Sequence, residues 1–274
     1  MKTLAISPCP NDTYAFFGWL CGHVPGPEVN VEFHDIEALN QMCFARQADI
    51  CKVSFHAFLH ASESYAMLPV GAALGFGCGP LLVCREEHLN APLETLRVVS
   101  PGRWTTANLL LELWGGPRLQ LSYMPFDEIM DAVSARRADA GLIIHESRFT
   151  YEQMGLVQRV DLGSWWETHA QAPIPLGGIA IKRSLGRHFA LKVAKALRSS
   201  LQYADDHVRD ADAFMARYAQ EMDPRVMRQH VDLYVNAFTH DLGKKGVAAI
   251  EQLGRKAQAA GKLQLPLIDP LIAC

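Results

Sequence analysis

Short apolar runs alternate with amphipathic segments along the chain up to about residue 185. The apolar runs predict buried β-strands at residues 3–7, 29–34, 50–54, 81–84, 96–100, 119–123 and 141–145. Between them, residues 105–114 and 126–135 place their apolar side chains at helical spacing, with one face buried. Strands that alternate with helices are typical of a mainly parallel sheet that helices cover on both faces.

From about residue 185 the pattern becomes entirely helical, with apolar positions at helical spacing in residues 189–197, 214–218, 226–235 and 247–253. No repeat or linker splits the chain, so a second domain must be an insertion. We expect the chain to cross between lobes at residues 71–80 and 171–178. The sequence therefore predicts a larger α/β lobe from residues 1–96 and 173–274, and a smaller inserted α/β lobe from residues 97–172. A ligand cleft would lie between them.

The composition narrows the class of protein. The chain has 274 residues, 49% of them hydrophobic, which is enough for a sizeable core. The net charge is −3, without a basic cluster, so nucleic acid is not an expected partner. No apolar stretch reaches the ~20 residues of a membrane span, and no signal-peptide pattern is visible, so we expect a cytoplasmic protein without membrane contact.

Polar residues that follow the predicted strands are the first candidates for ligand contacts, because such loops line the crevice of an open α/β sheet. Asn11 follows the first strand and either contacts a ligand or caps the next helix. Lys52 and Ser54 end a buried strand, where a lysine needs a carboxylate, a ligand or a route to solvent. Thr105 and Thr106 begin a helix whose free N–H groups could hold an anion, although a simple threonine cap fits equally well.

His145 follows the apolar residues 141–144 directly and is expected at the carboxyl end of a strand. A neutral imidazole there can act as a general base near pH 7, while a histidine held by Glu146 or by a backbone carbonyl is the structural alternative. His145 and Glu146 match the first half of a zinc-protease motif, but Phe149 replaces its second histidine. Dinucleotide, phosphate-loop and metal-ligand spacings are also missing, so we expect neither cofactor nor metal.

Five motifs belong together: SPCPNDT at 7–13, PGRWTTA at 101–107, GLIIHESRFTY at 141–151, DLGSWWE at 161–167 and YVNAF at 234–238. They resemble the 1,4-dihydroxy-6-naphthoate synthase family of the futalosine route to menaquinone. The resemblance runs from Ser7 to about Gly246, most of the chain. It implies an α/β protein with a type II periplasmic-binding-protein-like fold, two α/β lobes with a central cleft, in a cytoplasmic enzyme.

The resemblance also implies a reaction. The family's substrate is cyclic dehypoxanthinyl futalosine, which is cleaved to 1,4-dihydroxy-6-naphthoate without cofactor or metal, as a carbon–carbon lyase would do. Carried over by motif, the general base is His145, and the substrate contacts are Lys52, Val53, Ser54, Thr105, Thr106 and Ala107, with Asn11 as a further candidate. This small molecule is the expected partner, and a homodimer is compatible with the sequence. The alternatives are the chorismate dehydratase of the same pathway and a cytoplasmic small-molecule-binding protein without catalytic activity.

Overall fold

The computed structural model describes residues 1–219, 223–264, 269 and 271. The strands are β1 (Lys2–Ile6), β2 (Val29–Phe33), β3 (Ile50–Ser54), β4 (Tyr65–Met67), β5 (Ala73–Gly75), β6 (Leu81–Cys84), β7 (Arg97–Ser100), β8 (Gln120–Tyr123), β9 (Ala140–Ile143), β10 (Val157–Asp161) and β11 (Ile174–Lys182). The α-helices are α1 (Pro10–Leu20), α2 (Ile36–Phe44), α3 (Phe55–Ala61), α4 (Thr106–Gly115), α5 (Ile129–Ser134), α6 (Leu162–Ala170), α7 (Gly186–Asp206), α8 (Val208–Met215), α9 (Pro224–Tyr234), α10 (Ala237–His240) and α11 (Gly243–Ala259). Short 3-10 helices lie at Glu86–His88, Leu93–Thr95, Phe126–Glu128, His145–Phe149, Tyr151–Met154 and Arg183–Leu185.

The strands form two sheets, one in the order β2-β1-β3-β11-β4 with β5 beside β11, the other in the order β10-β6-β9-β7-β8. Each sheet mixes directions: β1 and β7 have parallel neighbours, whereas β11 and β6 run antiparallel to theirs. The prediction of a mainly parallel sheet is therefore wrong. The reason is that the chain enters β6 and β11 from the side of the other sheet. Leu81, the first residue of β6, pairs with Ile143 at the end of β9. Gly177, near the start of β11, pairs with Ser54 at the end of β3, so both pairs of strands run antiparallel.

Strand β11 is the largest difference from the sequence prediction, which assigns residues 171–178 to a crossing. The strand starts at Ile174 and lies between β3 and β4 in the first sheet. Its Pro175 lies next to an irregularity in the pairing with β5, where the register shifts before Gly177, and strands tolerate proline at such irregularities. Strand β6 pairs with β9 and β10 in the second sheet, although the sequence analysis assigns residues 1–96 to the larger lobe.

The C-terminal region is helical as predicted, from α7 to α11. Helices α1 and α7 pack on one face of the first sheet through side chains such as Phe16 and Leu197. Its other face shares a continuous core with the second sheet, which includes the fully buried Trp166 of α6. The predicted helix at 126–135 is a 3-10 turn followed by the shorter α5. Within the described part of the chain, none of the helices has the length and apolar character that crossing a membrane requires.

Candidate active site

A pocket lies where β3 and β9 end and where β6 and β11 begin. Of the predicted site residues, it is lined by Asn11, Lys52, Ser54, Thr105, Thr106, Ala107 and His145. Val53 is not part of the lining: it is fully buried in the core and its backbone pairs with Gly178 of β11. This follows because successive side chains of a strand point to opposite faces of the sheet: Lys52 and Ser54 lie on one face, and Val53 lies on the other.

His145 lies just beyond β9 and begins a 3-10 turn, with a left-handed backbone at φ 55°. Its ring is 4.8 Å from the ring of Phe126 and lies parallel to that of His230 at 6.0 Å between centroids. Among the described residues, its ring nitrogens have no hydrogen-bond partner. Burial lowers the pKa of His145 to about 4, with a further lowering by the Lys52 ammonium that outweighs the carboxylate of Asp12. The imidazole is therefore neutral at pH 7.

Asp12 and Lys52 form a buried ion pair beneath the pocket. The Asp12 carboxylate also accepts hydrogen bonds from the backbone N–H and hydroxyl of Ser7, the latter at 2.7 Å, and from Asn11 Nδ2 at 2.9 Å. Only 5% of Lys52 is exposed. Of the three partners that the sequence analysis allows for this lysine, the structure shows the carboxylate.

Helix α1 begins at Pro10, with Cys9 as its N-cap and without a side-chain capping bond. The interpretation of Asn11 as a cap is therefore wrong. The Asn11 side chain bonds to Asp12 and lines the pocket together with Lys52, and we call this part of the lining the pocket floor. Since Asn11 Nδ2 donates to the Asp12 carboxylate, its Oδ1 must accept, and the partner is Nε2 of His230 at 2.9 Å. This fixes the proton of neutral His230 on Nε2.

His230 was missed by the sequence analysis, although it lines the pocket and is 1% exposed. Its Nδ1 lies 3.9 Å from Oε2 of Glu146, and burial lowers its pKa well below the usual range, as do His145 and Lys52. The residue belongs to α9, whose apolar spacing is that of an ordinary core helix. The only signal in the sequence is a histidine on the buried face of that helix, which by itself does not point to a site.

The first turn of α4 forms the opposite end of the pocket. Thr105 is its N-cap, and its hydroxyl accepts from the Asn108 N–H at 3.1 Å. The Thr106 hydroxyl donates to the carbonyl of Leu176 at 2.7 Å. Both threonine side chains are thus engaged within the protein, while the backbone N–H groups of Thr106 and Ala107 have no acceptor among the described residues. Free N–H groups at a helix start favour an anionic ligand.

Ser54 adds a hydroxyl to this end of the pocket. Its backbone N–H donates to Asn40 Oδ1 at 2.9 Å, and its Oγ accepts from Asn40 Nδ2 at 3.1 Å. The hydroxyl proton is therefore left for a ligand. Between the polar ends the wall is apolar, with Ile36, Ile144 and Leu176 in the lining. Such a pocket suits a largely apolar molecule that carries an anionic group.

The fold and the sequence can be compared with those of known proteins. The alkanesulfonate-binding protein of Xanthomonas axonopodis pv. citri superposes with a TM-score of 0.73 at 11% identity, covering 98% of this chain and 96% of that one. The fold is thus periplasmic-binding-protein-like, as predicted. A solved protein of Archaeoglobus fulgidus superposes more closely, with a TM-score of 0.90 at 33% identity, covering 94% of this chain and 97% of that one.

Residues 2–259 match a protein family described as menaquinone biosynthesis. The chain is 44% identical to a 1,4-dihydroxy-6-naphthoate synthase of Streptomyces coelicolor, covering 97% of this chain and 95% of the relative. It is 42% identical to an enzyme of the same name from Thermus thermophilus, covering 98% and 97%. The resemblance seen in the sequence is confirmed: the chain belongs to the 1,4-dihydroxy-6-naphthoate synthase family of menaquinone biosynthesis.

Proposed function

We propose that this protein cleaves cyclic dehypoxanthinyl futalosine to 1,4-dihydroxy-6-naphthoate, as a carbon–carbon lyase with His145 as its general base. The observation that carries the proposal is a neutral imidazole without a hydrogen-bond partner among the described residues, in a pocket whose far end is a helix N-terminus. The two named relatives support the reaction, since each covers nearly the whole chain.

In this reaction His145 removes a proton from the substrate, the carbon–carbon bond to the sugar-derived fragment breaks, and the released bicycle becomes aromatic. The N–H groups of Thr106 and Ala107 hold the carboxylate, and the hydroxyl of Ser54 donates beside them. The proton on His145 then returns to the leaving fragment, which restores the neutral base. Closing the two lobes over the substrate would exclude water and fix the geometry of the transfer.

Lys52 supports the base electrostatically. Its ammonium disfavours a second positive charge nearby and so keeps His145 neutral and ready to accept a proton. Asp12 compensates the lysine charge, because an unpaired buried ammonium would be costly. The Asp12–Lys52 ion pair thus allows the Lys52 ammonium to remain buried next to His145.

The test is to incubate the purified protein and a chelator with cyclic dehypoxanthinyl futalosine and to detect 1,4-dihydroxy-6-naphthoate by mass spectrometry. His145→Ala should lower turnover by about 10²-fold or more, the usual contribution of a general base. Ligand affinity should stay within about tenfold, or ~1.4 kcal/mol. His188→Ala, an exposed histidine of α7, is the matched control and should keep full turnover.

Three results would contradict the proposal. Unchanged turnover in His145→Ala would remove this residue from the mechanism. Consumption of chorismate, with no product from the futalosine derivative, would favour the dehydratase. Binding of the futalosine derivative without any product would favour a binding protein.

A further inference from the structure

A cluster of three side chains, of which the proposed reaction uses only His145, lies beside the pocket floor. The Cys9 sulfur, a ring nitrogen of His145 and a carboxylate oxygen of Glu146 all lie within 4.8 Å of one another. Cys9 precedes α1 and follows the first sheet's β1, whereas His145 and Glu146 follow β9 of the second sheet. The cluster therefore brings together residues that follow strands of both sheets.

The chemistry of this donor set is that of a zinc site. Thiolate, imidazole and carboxylate are the three ligand types that Zn²⁺ takes in proteins, and three protein ligands leave a fourth position open. A thiolate and a carboxylate would together cancel the two charges of the ion. This matters here because Cys9 and Glu146 are 5% and 6% exposed, and a buried charge must be compensated.

We propose that Cys9, His145 and Glu146 form a Zn²⁺-binding site, and that the bound ion inhibits the protein by occupying the lone pair of His145. The metal-binding part of this proposal does not rest on the proposed function. The inhibition rests on the function proposed above, because the ion and the proton to be abstracted compete for the same nitrogen.

The geometry needs only small changes to accept the ion. Ligand atoms in a tetrahedral zinc site lie about 3.5 Å apart, given bond lengths of about 2.0–2.3 Å, so the three groups need to approach one another by roughly 1 Å at most. The backbone carbonyl of Cys9 accepts hydrogen bonds from the N–H groups of Asp12 and Thr13, which fix the backbone and leave the side chain free to rotate. The nearby ammonium of Lys52 is already paired with Asp12 and opposes the ion less than a free cation would.

Cys9 gives up a proton when the metal binds. Burial and the Glu146 carboxylate raise the pKa of Cys9, so the thiol is protonated at neutral pH until the ion displaces its proton. Without zinc, the cluster therefore contains a neutral Cys9 thiol beside a neutral His145 imidazole, and His145 can still accept a proton.

Cobalt reports on this site without an activity assay, because Co²⁺ replaces Zn²⁺ and a thiolate bound to Co²⁺ gives a charge-transfer band in the near ultraviolet. The full chain, freed of metal by a chelator and then of the chelator, is titrated with Co²⁺, and zinc should abolish the band. Cys9→Ser should remove the band, and Glu146→Gln should weaken metal binding by about tenfold or more. Cys78→Ser is the matched control, since Cys78 is also buried and lines the same pocket, and it should keep the band.

The inference is overturned if the wild-type protein shows no thiolate band, or if Cys9→Ser retains it. An equal loss in Cys78→Ser would place the metal elsewhere and also overturn it. Should Cys9→Ser fail to fold, a wild-type Zn²⁺ titration by calorimetry against Glu146→Gln decides, since equal affinities would exclude the cluster.

Turnover separates this inference from the proposed function. With active protein, zinc should stop product formation and a chelator should restore it; uninhibited turnover at saturating zinc would overturn the inhibitory role. If the cobalt band appears but no substrate is turned over, the metal site stands and the proposed function fails.

Discussion

Replacing Lys52 with methionine tests the buried ion pair on which the pocket floor depends. The side chains of Lys52 and Asp12 are 6% and 3% exposed, so the change removes one charge and strands the other away from water. Breaking such a pair costs about 3–5 kcal/mol. Asp12 keeps the donors from Ser7 and Asn11, so we expect about 3 kcal/mol, the lower end of that range.

Urea unfolding followed by circular dichroism measures this loss. With a slope of about 3 kcal/mol per molar for a chain of this size, the midpoint should fall by about 1 M. Asp12→Asn alone should be similarly destabilising, whereas the double variant should lose clearly less than the sum, because neither charge is left unpaired. Lys182→Met is the control: its partner Asp49 is at 3.0 Å but both side chains are about a fifth exposed, so the loss should be about 1 kcal/mol or less.

Additive effects in the double variant would refute the reasoning, since they would show that the two charges do not stabilise each other. A Lys52→Met midpoint equal to that of Lys182→Met would refute it as well, because burial would then add nothing to the cost of breaking the pair.

Two further predictions concern the pocket directly. The acid limb of kcat/KM should lie near pH 4, with a flat profile from pH 8 to 5, because burial lowers the pKa of His145 to about 4 and activity is lost only as pH falls through that value. A limb near pH 6.5 would show that the imidazole is not desolvated. Thr105→Ala should lower the free energy of unfolding by about 1 kcal/mol through loss of the α4 cap, measured by urea unfolding, and Thr105→Ser should restore it. Equal stability of the alanine and serine variants would contradict a capping role.

Local pattern was sufficient to find much of the site. His145 and Ser54 come at or directly after short apolar strands, and the structure places both at the pocket. The all-helical C-terminal region also follows from its apolar spacing. In each case the property that matters is set by residues within one element and its adjoining turn, which a pattern along the chain can detect.

The interactions beneath the pocket could not be found in this way. His230 meets Asn11 across 219 positions, and Lys52 meets Asp12 across 40. No spacing rule connects such residues, because their meeting depends on how helices and strands pack. The low pKa of His145 depends on packing in the same way: a sequence shows an imidazole at a strand end but not the protein that surrounds and desolvates it.

The left-handed backbone at His145 has a consequence for how this position can vary. Glycine adopts that conformation without strain, whereas a residue with a Cβ atom is held there at a cost of about 1 kcal/mol. Backbone energy alone would thus favour glycine, which has no lone pair to accept a proton. Under the proposed function, fold stability and turnover therefore favour different amino acids at residue 145, and this chain carries the one that its backbone favours less.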